Sequence, residues 1–223
     1  MKTLKALASV SAFVTVLALG AGANAATIIG LYSTGVNNNG VATTGNGADL
    51  HWQLNGAAAY TGASNGTFPI NPWLAETTAS RWLTPTSNAA DSFDPTTNGI
   101  YTYSTTFTLT SAQALGAAFT GQFADDNTVV NILLNGHSLG SGGGFSSWTD
   151  FAATSADFQA GTNTLDFVVE NYAQNGGNPT GLDVQFLSSI AGVPEPAAWA
   201  LSILGVGLTG AALRRAKSQK VLA

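Results

Sequence analysis

The sequence predicts an all-β protein, an antiparallel β-sandwich of the jelly-roll kind. Two observations carry that expectation. Apolar and polar residues alternate at period two in several segments, and stretches rich in Gly, Asn, Ser and Thr separate them. Helical periodicity is almost absent between residues 26 and 187. An immunoglobulin-like sandwich and a β-helix are the competing architectures, but a β-helix needs a fixed internal repeat and none is found.

Along the chain, residues 27–32 and 50–54 are the first strand candidates. Residues 33–47 and 62–66 are Gly/Asn/Thr-rich and read as long loops. In 101–109, Tyr101, Tyr103, Phe107 and Leu109 alternate with threonines and serine, as a strand with one wet face requires. Residues 110–115 allow one helical turn. Residues 119–123 and 129–134 predict two more strands, and Asn135-Gly136 after the second is a two-residue hairpin turn. Leu165, Phe167 and Val169 predict another strand, and Leu182, Val184 and Phe186 a further one.

Both ends differ from this body. Residues 1–25 begin with Lys2 and Lys5, continue as a short apolar run and close on Ala23-Asn24-Ala25. That order predicts a signal peptide cut by signal peptidase between Ala25 and Ala26. At the other end, residues 197–213 hold no charge and predict a short transmembrane helix of about 25 Å. Pro194 and Pro196 mark its start, and Arg214 and Arg215 open a basic tail, 214–223, on its cytoplasmic side. The expected division is therefore 1–25 signal peptide, 26–191 β-sandwich ectodomain and 192–223 membrane-directed tail.

Charge and cysteine narrow the function. Between residues 26 and 193 stand eleven carboxylates and one cation, Arg81, a formal charge of −10. Nucleic acid is excluded as a partner, since no positive face exists to displace its counterions. With no cysteine in the chain, thiol nucleophiles, thiolate metal sites and disulfides are excluded, so the body must hold together by its core.

Val193-Pro194-Glu195-Pro196, the apolar span and the Arg214-Arg215 cluster resemble, in that order, the PEP-CTERM sorting signal. The resemblance implies a Gram-negative exporter of extracellular polysaccharide. It also implies recognition by an exosortase, transient anchoring in the inner membrane, and transfer to the cell surface or extracellular matrix. The octapeptide tail after the arginines departs from the family pattern. The body is similar to a recurrent group of passenger domains of these proteins. The pieces that carry this include Asp49-Leu50-His51-Trp52, Ser80-Arg81-Trp82-Leu83, Asp125-Asp126-Asn127 and Asn178-Pro179-Thr180-Gly181-Leu182. That likeness implies a galactose-binding-like jelly roll and, by analogy of fold, polysaccharide binding.

Chemistry-bearing residues are few. Gly136-His137-Ser138-Leu139-Gly140 fits the pattern of a hydrolase nucleophile elbow, but Ser141-Gly142-Gly143-Gly144 cannot start the helix that elbow needs. No histidine follows His137 to act as base. The expectation is a protein without catalytic residues; a glycan-active enzyme would need paired carboxylates, for which Asp126 and Glu170 are arbitrary partners. His51 and His137 lack metal-ligand spacing, and His51 is expected to pack near Trp52. Asp125, Asp126 and Asn127 offer oxygens to a structural calcium, or serve only as turn residues. No other cofactor is expected. Trp73, Trp148 and Tyr172 are the candidates for stacking on a sugar, with Trp73 and Trp148 the better placed to be exposed; core packing is the other reading of each. Two functions stay open, a polysaccharide-binding surface protein and a purely structural or adhesive matrix component.

Overall fold

The computed structural model describes residues 26–62, 71–192 and 207–209. Ala25, the sorting residues Pro194, Glu195 and Pro196, and Arg214 and Arg215 lie outside the described residues. Of the expected membrane span only 207–209 are described, as one helical turn in a unit separate from the body. No helix among the described residues is long and apolar enough to cross a membrane.

The alternating segments form strands. In chain order these are β1 (Gly47–Leu54), β2 (Ala57–Thr61), β3 (Leu83–Thr84), β4 (Gly99–Leu109), β5 (Ala118–Asp126), β6 (Thr128–Leu134), β7 (His137–Gly142), β8 (Thr149–Ala153), β9 (Gly161–Asn171) and β10 (Gly181–Ile190). They join one antiparallel sheet in the order β7-β6-β9-β4-β1-β2-β3-β10-β5-β8. The two edge strands, β7 and β8, approach each other, so the sheet is nearly closed. Closure of this kind hides backbone edges that would otherwise recruit other strands.

Period-two alternation decides what is inside. Tyr103, Thr105, Phe107 and Leu109 of β4 are buried while Thr106 and Thr108 between them are exposed. On β9, Asn163, Leu165, Phe167, Val169 and Asn171 are buried in the same way. The register sets Tyr103 opposite Phe167 and Thr105 opposite Leu165, so both strands turn the same face inward. From the other half of the sheet, Phe123 and Phe151 meet Phe167 edge-on, with ring centroids 5.5 and 5.2 Å away. Each buried phenylalanine contributes roughly 1.5–3 kcal/mol, and this ring cluster carries the core that replaces disulfides.

Local chemistry ends the strands. Asn135 and Gly136 both hold positive φ (55° and 83°) and turn β6 into β7. A four-residue helix α1 (Ser111–Ala114) follows β4 and is closed by a capping box between Thr110 and Gln113. Residues 27–32 correct the expectation of a strand. Apart from the bridge of Ala26 to Ala191, this stretch is held by side chains: Ser189 Oγ accepts the Ile28 N–H and Trp52 Nε1 donates to Tyr32 O. Arg81, 8% exposed, ties the loops together. Its Nε meets Glu76 at 2.9 Å, and its other nitrogens donate to the carbonyls of Thr43, Gly45 and Gly62.

Candidate functional site

The expected sugar-stacking tryptophans turn inward. Trp73 is 7% exposed, packs tilted against the fully buried Trp82 with ring centroids 4.3 Å apart, and donates its indole N–H to Asp126 Oδ2 at 2.9 Å. Of the two readings of this residue, exposure and core packing, the geometry favours core packing. Gly181 lies opposite the ring, and a Cβ there would sit 2.8 Å from the Leu83 carbonyl oxygen and 3.1 Å from the indole. Trp148 is half-buried and packs on the same Trp73–Trp82 cluster. Tyr172 is 49% exposed, one residue past β9, with its backbone N–H donated to Asn127 Oδ1. The three do not form one aromatic platform.

Asp125, Asp126 and Asn127 close β5, and each side chain serves a different neighbour. Asp125 Oδ1 accepts the Gly144 N–H at 2.9 Å, Asp126 accepts from Trp73, and Asn127 accepts from Tyr172. Gly143 has no room for a Cβ against Asp125 Oδ1, so the β7–β8 loop folds directly onto that carboxylate. Asp125 Oδ2 and Asp126 Oδ1 stay buried without a partner, the feature a calcium at this turn would use. Among the described residues no three His, Cys, Asp or Glu side chains gather as a metal site. Burial pushes Asp125 up to about 7 and Asp126 up to about 6.

Ser138 lies within strand β7, its Oγ 2.6 Å from Asn131 Oδ1, so the G-x-S-x-G run forms the arm of a β-hairpin instead of a strand-to-helix elbow. His137 is exposed at the start of the same strand. Asp126 accepts from Trp73 and Glu170 from Asn98 Nδ2 at 2.9 Å, each carboxylate engaged by a different neighbour.

A groove forms elsewhere, where sequence reasoning saw only weak strands. Asp49 organises it: Oδ1 accepts the N–H groups of His51 and Trp52, and Oδ2 accepts that of Gly35, each at 2.8 Å. Burial raises the Asp49 pKa, and these three donors oppose the rise. The fixed turn of β1 sets the His51 ring against Tyr32, centroids 3.9 Å apart and planes 15° from parallel. Tyr32 is held at both ends, its carbonyl by Trp52 Nε1 and its hydroxyl by donation to Asn38 O. His51 thus packs on Tyr32, with Trp52 buried behind β1.

This stacked pair borders a groove of about 620 Å³ with Gln53, Ser104 and Thr106 of β1 and β4 along its wall. The Ser104 hydroxyl donates to Asp166 Oδ1 at 2.5 Å. Leu50, 63% exposed, adds an apolar margin. No Lys or Arg lines it. Such a surface offers aromatic and aliphatic faces beside amide and hydroxyl groups, which suits a neutral polyhydroxylated ligand. No family model matches the chain, and no curated protein matches it in sequence.

Proposed function

We propose that the chain is an exported, exosortase-sorted surface or extracellular-matrix protein, without catalytic activity, that binds envelope or matrix polysaccharide. The sorting part rests on the order of Val193-Pro194-Glu195-Pro196, the apolar span and Arg214-Arg215. The body is read as a galactose-binding-like jelly roll, a reading supported by two opposed halves of an antiparallel sheet sharing one aromatic core. Binding rests on one observation, the Tyr32–His51 stack beside a groove lined by hydrogen-bonding side chains and by no Lys or Arg. A second reading, a structural or adhesive component with no ligand site, is favoured by the inward turn of Trp73. Retention of the exported full chain on polysaccharide from its own matrix separates the two: retention supports binding, and passage unretarded leaves the structural component.

A further inference from the structure

The groove beside the Tyr32–His51 stack does not end at Tyr32. A second groove of about 480 Å³ runs along the N-terminal segment and β10, and Gly30 and Tyr32 line both. Its character differs, with Ile29 (79% exposed), Leu187 (55% exposed) and Phe186 alongside Asn38, Ser33 and Ser188. Gly30 sits at their junction with a φ of 89°, and a Cβ there would meet Phe107 of β4 at 3.4 Å. One surface path therefore runs from Gln53 and Ser104, past Tyr32, to Leu187.

Building on the polysaccharide reading, we propose that this path is a single track that holds the interior of an extended, neutral polysaccharide, with Tyr32 as its midpoint. Continuity argues for a chain rather than a single sugar. Each half is large enough for a drug-sized ligand, and the two share Gly30 and Tyr32 in their linings. Charge argues for a neutral chain. Asp49 lines the first groove, Asp166 stands behind Ser104, and neither groove holds a Lys or Arg. The one cation among residues 26–192, Arg81, is committed to Glu76 and three carbonyls. A uronic-acid polymer would meet carboxylates with no counter-charge, which opposes both encounter and binding. Both apolar and polar side chains line the track, which suits the C–H faces and hydroxyl edges of sugar rings.

The test uses the exported full chain and its variants in affinity electrophoresis against barley β-glucan, galactomannan, dextran and alginate. Retention by at least one neutral polymer and none by alginate is expected. Tyr32→Ala should weaken that retention about ten-fold, as loss of a stacked ring does. Because that variant also removes a packed ring, Gln53→Ala and Leu187→Ala repeat the test on exposed side chains from opposite halves. Each should weaken retention several-fold, while Tyr172→Ala leaves it unchanged. Hexasaccharides of the retained polymer should bind at least ten-fold more tightly than its disaccharide. Failure of every polymer to retard the protein overturns the polysaccharide reading itself. Equal retention by alginate, equal affinity for hexa- and disaccharide, or an effect of Gln53→Ala with none of Leu187→Ala overturns the track and leaves polysaccharide binding standing.

Discussion

The indole of Trp73 donates to Asp126 at 2.9 Å inside the protein, so a candidate sugar-stacking ring and a candidate metal ligand are each other's structural partner. Substitution there should read as stability. Trp73→Phe keeps most of the ring packing on Trp82 but strips a donor from a buried carboxylate, at a cost of about 1–3 kcal/mol. Trp73→Ala empties the seat over Gly181 as well, with a loss of about 3–5 kcal/mol. Urea denaturation of both variants checks this. Wild-type midpoints for both would mean that the indole is not part of the folded core.

The long alternating strands were legible because one face of each is buried. Residues 101–109 became β4, 165–170 fell within β9, and the Asn135-Gly136 turn closed a hairpin. Less legible were β2, whose Ala57-Ala58-Ala59 run carries no β-forming side chain, and β3, which is two residues long and exists only through its neighbours. The candidate site was hidden for a related reason. Tyr32 and His51 are nineteen positions apart in sequence, and nothing local announces that Asp49 will turn β1 so that the rings meet. Exposure and core packing of Trp73 stayed open in the sequence because its hydrogen-bond partner, Asp126, lies 53 positions along the chain.

Stability should fall as pH rises through the range where most extracellular proteins are stable. Burial raises Asp125 to about 7, Asp126 to about 6 and Asp183 to about 7, all from an unfolded value near 3.8. Between those limits the folded protein holds more protons than the unfolded one. The unfolding free energy therefore decreases with pH, and the stabilisation, full below the unfolded value, is lost through about pH 6–7. Melting temperature should be higher at about pH 4.5 than at about pH 7.5. Asp183→Asn, which keeps an acceptor for Thr34, should raise it at the upper pH and flatten the slope. Calcium added at the upper pH separates two roles for Asp125 and Asp126: a rise in melting temperature marks a cation site, and no change marks turn residues alone.

Ser138 offers a clean negative. Its hydroxyl meets Asn131 on an exposed strand, so Ser138→Ala should shift stability by no more than about 0.5 kcal/mol. Polysaccharide retention should be unchanged. An esterase activity of the wild type that vanishes in this variant would contradict the hairpin-arm assignment of its role.

Sorting gives the last prediction, and the ends of the body bear on it. The Ala191 N–H donates to Ala26 O at 2.6 Å, and the Gly192 N–H to Gln113 O at 2.8 Å. A Cβ on Gly192 would sit 2.7 Å from the Ala112 carbonyl oxygen, so the chain is pinned to α1 one residue before Val193. On the proposed sorting reading, the two prolines of Pro194-Glu195-Pro196 would present a segment that a protease can thread, because proline fixes φ and lacks a backbone donor. Recognition and position should then separate. Replacing Pro194, Glu195 and Pro196 by alanine should leave the protein inserted but unprocessed in the inner membrane. Neutralising Arg214 and Arg215 should instead weaken its retention there before processing, since on the proposed sorting reading those charges would hold the cytoplasmic end. Fractionation and gel mobility, in hosts with and without the exosortase, read both effects. Release of the triple-alanine variant at the wild-type rate, or of the wild type from the exosortase-null host, would sink the sorting assignment while leaving the polysaccharide track to its own test.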